Sequence, residues 1–171
     1  MKLFFQKACA LLLVLVLSLI FLFSCGENKQ YADGVSCEEL MNTAKSVISA
    51  ELGYTDLGNE QILYYFGKTD GYNDVCLRYS VRSETIDEIG IFHSVNEERA
   101  QEIGEHSEKY LAQMKEEQGA FIASYAPKEL SKLEKAEVRQ FGNYTVYAIL
   151  SEEDRQAVFQ ALEERLLIRS E

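Results

Sequence analysis

Hydrophobic positions fall along this chain in three patterns: one unbroken run, several stripes at helical spacing, and several strict alternations. The run is residues 8–24, ACALLLVLVLSLIFLFS, without a single charge. The first stripe is Leu40, Ala44, Val47, Ile48 and Leu52. It follows Ser36-Cys37-Glu38-Glu39, a capping-box sequence with Ser36 as N-cap, and it predicts an amphipathic helix that Gly53 ends. Residues 59–66 form a shorter helical candidate with Ile62, Tyr65 and Phe66 on one side, and GKTDGYN over 67–73 reads as a turn-rich link. Val75, Leu77, Tyr79 and Val81 then alternate with Cys76, Arg78, Ser80 and Arg82, which predicts a half-buried strand. Residues 86–94 suit its hairpin partner. Ile89 and Ile91 oppose Phe92 there, and a bulge near Gly90 is expected.

Asn96 is placed to cap a long helix whose stripe is Ala100, Ile103, Ser107, Tyr110, Leu111 and Met114. Gly119 should end or break it. Pro127, the one proline, suits the first turn of a short helix over 127–134. Residues 137–141 and 144–150 flank Gly142-Asn143, a two-residue hairpin signal that sets Val138 opposite Tyr147. Ser151 then caps a last helix striped by Val158, Phe159, Leu162 and Leu166. Two hairpins separated by helix favour an α+β fold: a four-stranded antiparallel sheet with helices packed mainly on one face, as a two-layer sandwich.

The uncharged run changes the picture of where the chain works. Lys2 and Lys7 precede it, Cys25 follows it, and the next residues are polar, which is the pattern of a secretory signal. Leu22-Phe23-Ser24-Cys25 resembles a bacterial lipobox, although Phe23 stands where that pattern prefers a small or β-branched residue. The expected organisation is a signal peptide over 1–24, a flexible tether over 25–35 starting at a lipidated Cys25, and one domain over 36–171. The expected place is the outer face of the cytoplasmic membrane, with diacylglycerol on Cys25 as the anchor. An uncleaved transmembrane helix is the other reading, and 17 residues is at the short limit for one. Loss of both leader lysines would take the net charge from -11 to -13. Such an acidic surface argues against nucleic acid as a partner. Cys37 and Cys76 remain in the exported part as an even pair, which permits a disulfide; two separate thiols are the alternative.

Three segments resemble a known family. Glu88-Ile89-Gly90-Ile91-Phe92-His93 is similar to its central strand, Tyr125-Ala126-Pro127 followed by Glu129 to its proline turn, and Phe141-Gly142-Asn143-Tyr144 to its second hairpin. The family is that of small lipoproteins of Gram-positive bacteria carrying domain of unknown function 4358. The resemblance brings no catalytic residues to transfer.

Candidate chemistry is sparse. Gly67-Lys68-Thr69 lacks the upstream glycine of a phosphate loop, since Ile62 holds that place. Cys37, Cys76, His93 and His106 are scattered singly rather than at zinc-ligand spacing, so no metal or other cofactor is expected. The glutamate pairs 97–98, 116–117, 152–153 and 163–164 fall on predicted solvated faces. Cys76 with His93 is a conceivable nucleophile pair that nothing marks as activated. Tyr64, Tyr65, Tyr72 and Tyr79 cluster near the first hairpin, where core packing competes with a ligand groove. The reading that follows is a non-catalytic binding or accessory module of the envelope, its partner protein or wall polymer unknown. An envelope enzyme (a hydrolase or transferase accessory) and a small solute-binding lipoprotein are the alternatives.

Overall fold

The computed structural model describes residues 29–53 and 71–169. Its elements in order are α1 (Cys37–Lys45), β1 (Tyr72–Tyr79), β2 (Glu88–Ser94), α2 (Glu97–Tyr125), α3 (Pro127–Glu134), β3 (Glu137–Phe141), β4 (Tyr144–Ile149) and α4 (Glu152–Leu166). The predicted caps form. The side chains of Ser36, Asn96 and Ser151 accept from the N–H groups of Glu39, Arg99 and Asp154. Pro127 opens α3. At the second hairpin Gly142 takes φ +57°, while among the described residues no non-glycine has positive φ, so only the first central position of the turn is left-handed.

The strands make one antiparallel sheet in the order β1-β2-β4-β3. The two hairpins therefore join through β2 and β4, and Val138 pairs with Tyr147 as the turn requires. The class is α+β, as expected, but the layering differs. On one face Cys76, Ile89, Ile91, Tyr144, Val146 and Ala148 pack with α1 and α4, through residues such as Leu40, Met41, Val158 and Phe159. On the other face Leu77, Phe92, Tyr147 and Ile149 pack with α2 and α3, through Ile103, Leu111 and Leu133. Helices cover both faces, giving three layers rather than two. The physical reason is in the central strands: β4 is buried at every position and β2 at all but one, so neither face can be left in water.

Three local expectations are corrected. Helix α1 stops at Lys45, where Ser46 donates to the Thr43 carbonyl. The chain then crosses to the β1 edge, where Gly53 N–H bonds Tyr79 O and Leu52 is buried through its bridge to Ser80. Gly90 carries no bulge; the irregularity lies between Tyr72 and Asp74. Gly119 sits inside α2, which runs on to Tyr125.

Most of the expected tether is docked. Tyr31 bridges to Leu167, packs edge-on against Phe141 at 5.7 Å, and lies against Gly142. Ala32 N–H bonds Leu166 O at 2.7 Å, and Lys29 Nζ meets Glu163 Oε1 at 2.6 Å. The N–H groups of Gly34 and Val35 donate to the Tyr144 hydroxyl, which donates in turn to Val35 O. Residues 25–28, Cys25 among them, lie outside the described residues, as do the leader and the candidate helix over 59–66.

Candidate functional site

The most unusual group in the domain is a carboxyl in the core. Glu88 opens β2 on the α2-facing side of the sheet and is 2 % exposed. Tyr147, on the neighbouring strand β4 opposite Gly90, donates its hydroxyl to Glu88 Oε1 at 2.5 Å. Tyr110, from the fourth turn of α2, donates to the same carboxyl at 3.0 and 3.2 Å. The two phenol rings meet edge to face, 5.7 Å between centroids. Gly90 makes this possible. A Cβ there would stand 2.0 Å from Tyr147 Cε1 and 2.8 Å from Leu77 Cδ2, so only glycine leaves the ring its path to Glu88.

Burial dominates the carboxyl's chemistry. It pushes Glu88 up to about 7, against the opposing pull of the Tyr147 and Tyr110 hydroxyls. Tyr147 is held well above its ordinary value, first by burial and then by Glu88, so it stays a donor. Above this trio lies a cavity of about 270 Å³. Glu88 is its floor, Tyr79, Tyr110 and Met114 its walls, and Gln113, Glu117 and Gln118 its rim. Gln113 donates to Glu117 across one turn of α2 at 2.7 Å. The site offers tyrosine hydroxyls, carboxamides and a carboxyl that exchanges its proton near neutral pH around a recess open to solvent: an arrangement for recognising a small polar molecule.

Of the candidate site residues singled out from sequence, Tyr79 and Glu117 line this cavity and the other described ones do not. Cys37 and Cys76 are both free, buried thiols in the α1-side core, so the pair is unbridged. Burial pushes Cys76 up to about 12 and Cys37 higher still, which makes both poor nucleophiles. Cys76 donates to Glu38, which also pairs with the buried Arg78 guanidinium. His93 is engaged with other groups: its Nε2 lies 2.5 Å from Asp33 Oδ1 and its ring stacks on Tyr144 at 4.4 Å. It anchors the docked segment 29–35. Of the glutamate pairs, Glu163 holds Lys29 and Tyr31, and Glu152 holds Lys135. Among the described residues no group of His, Cys, Asp and Glu could hold a metal ion, and no helix is long and apolar enough to cross a membrane. Tyr79 lines the cavity, whereas Tyr64 and Tyr65 lie outside the described residues.

A family model described as a domain of unknown function, DUF4358, matches residues 48–150. The chain belongs to the DUF4358 family. No curated protein and no solved structure matches it. The DUF4358 span holds all four strands with α2 and α3, and therefore the whole Glu88 trio. Helices α1 and α4 fall outside it. The three segments that resembled the family have structural roles here. The strand 88–93 carries Glu88 and Gly90. The turn before Pro127 joins α2 to α3, where Glu129 accepts from Ile86 N–H at 3.2 Å and pairs with Lys132 at 2.7 Å. The segment 141–144 is the hairpin on which Tyr31 rests.

Proposed function

We propose that this DUF4358 protein is a lipid-anchored, extracytoplasmic binding module that takes a small polar ligand in the cleft over Glu88, as an accessory to another envelope component. The observation that carries the binding reading is the cleft itself. It places a buried carboxyl, held by two tyrosines, at the bottom of a solvent-open recess, where a side chain serving the core alone would cost desolvation without return. The leader pattern supports the anchor. The docked segment shortens its reach: from residue 29 back to Cys25 is four residues, at most about 14 Å. That segment docks at the Gly142 end of the sheet, beside His93. Glu88 lies at the other end of β2, five residues from His93 or about 17 Å along the strand. An anchor at one end would hold the cleft clear of the bilayer.

A second reading, an envelope enzyme, draws on the same carboxyl. A carboxyl titrating near 7 is tuned for general acid–base work.

Two experiments test the proposal. Metabolic labelling with a fatty-acid probe should mark the parent and leave Cys25→Ala unlabelled; equal labelling would remove the anchor. Melting of the full chain in non-ionic detergent should rise with at least one class among ammonium ions, carboxylates and polyols at millimolar concentration. No shift with any class would remove the binding site, and turnover of an envelope substrate by the purified protein would favour the enzyme.

A further inference from the structure

We propose that the cleft over Glu88 binds a small organic ammonium ion. This rests on the reading of the cleft as a ligand site and adds the class of ligand. The floor is a carboxyl whose described partners, the Tyr110 and Tyr147 hydroxyls, are both neutral donors. An ionised carboxylate this deeply buried is costly until a positive charge joins it, and the described residues lining the cavity include no lysine or arginine. A second carboxylate, Glu117, stands on the rim. An anion would enter between two acidic groups with no counter-charge. A cation would complete the floor.

The walls distinguish which cation. Calcium or magnesium requires several free oxygen ligands, but the Glu88 oxygens already accept from two tyrosines. The walls are instead two phenol rings and a thioether, Tyr79, Tyr110 and Met114. Rings attract weakly hydrated ammonium groups, and sulfur is polarizable. A cavity of about 270 Å³ suits a small ion rather than a polymer chain. The net charge of -11 raises the local concentration of cations.

The same geometry makes binding depend on pH. The titratable groups facing Glu88 are Tyr79 from β1, Tyr147 from β4, and Tyr110 and Glu117 from α2. Burial sets Glu88 itself at about 7. Its ionised fraction then rises from roughly one tenth at pH 6 to roughly nine tenths at pH 8, and affinity for a cation should rise by up to about tenfold.

Calorimetric titration of the full chain in non-ionic detergent tests this, with choline as probe and 3,3-dimethyl-1-butanol as its uncharged isostere. Choline should bind, with protons released, and about tenfold more tightly at pH 8 than at pH 6. The isostere should bind at least about tenfold more weakly than choline at pH 8, since it brings no charge to the floor. Glu88→Gln should abolish the pH dependence. Glu117→Gln, on the exposed rim and safe for folding, should weaken choline several-fold at both pH values, and it keeps the test decisive if Glu88→Gln does not fold. Equal binding of the isostere, or parent affinity unchanged between pH 6 and 8, would overturn the ammonium assignment. A melting shift with carboxylates or polyols but none with choline would overturn it while leaving the cleft as a ligand site. No binding by any class would remove both.

Discussion

Replacing Glu88 by Gln should make the domain more stable at pH 8 and leave it nearly unchanged at pH 5. The carboxyl titrates at about 7 in the folded chain and near its ordinary 4.5 when exposed. Between those values the folded state holds a proton that the unfolded state has released. Stability therefore falls as pH rises through this window; the loss is absent below about 4.5 and complete above about 7. At about 1.4 kcal/mol per pH unit the window is worth about 3 kcal/mol. Glutamine copies the protonated acid and never ionises, so it escapes the loss. At a urea slope of about 2 kcal/mol per molar, the midpoint of the variant should exceed the parent's by about 1.5 M at pH 8. Exchanging the carboxyl hydrogen bonds for an amide's costs the variant about 1 kcal/mol at all pH values, which cancels its small gain at pH 5, reduces the shift at pH 8 to about 1 M, and leaves the slope unaffected. The assay is urea unfolding followed by far-ultraviolet circular dichroism at pH 5, 6, 7 and 8. Parallel pH profiles for the parent and Glu88→Gln would refute the reasoning, because Glu88 would then be titrating in water in both states.

Two glycines should respond in opposite directions. Gly119→Ala has open space around the new methyl and removes a flexible residue from inside α2, so it should stabilise by about 1 kcal/mol in the same unfolding assay. Gly90→Ala drives a Cβ to 2.0 Å from the Tyr147 ring and should destabilise by about 3 kcal/mol. Phe159 is fully buried and lies under the Arg139 guanidinium at 4.3 Å, so Phe159→Ala should cost about 3–5 kcal/mol; an unchanged melting temperature would place α4 outside the core. Cys37 and Cys76 should resist iodoacetamide at pH 8 in the folded chain and react on unfolding, as followed by mass spectrometry.

The sheet was legible because strands announce themselves locally. Val75, Leu77 and Tyr79 alternate, Gly142-Asn143 sets the second register, and Pro127 marks where α3 begins. The third layer also has its signal in the sequence. Residues 144–150, YTVYAIL, hold almost nothing polar, and a strand without a polar face is buried on both sides. The end of α1 was not legible, since Leu52 fits the helical stripe yet is buried through a bridge to a strand edge. The docked segment 29–35 was hidden for a similar reason: its partners Tyr144, Glu163 and Leu166 are more than a hundred residues away in sequence. The Glu88 site was the least visible. A glutamate at the start of a strand reads as a solvated end, and its tyrosines stand 22 and 59 residues further on. The one local hint is Gly90, whose missing side chain reads as a bulge until the Tyr147 ring is seen in its place.

The most direct measurement is the titration of the Glu88 carboxyl by carbon-13 resonance, in full chain labelled at glutamate side-chain carboxyls and assigned by its loss in Glu88→Gln. In the free protein the midpoint should lie at about 7, and saturating choline should move it down. A midpoint near 4.5 that choline leaves in place would contradict the account, because Glu88 would then be an ordinary solvated carboxylate and not the floor of a binding site.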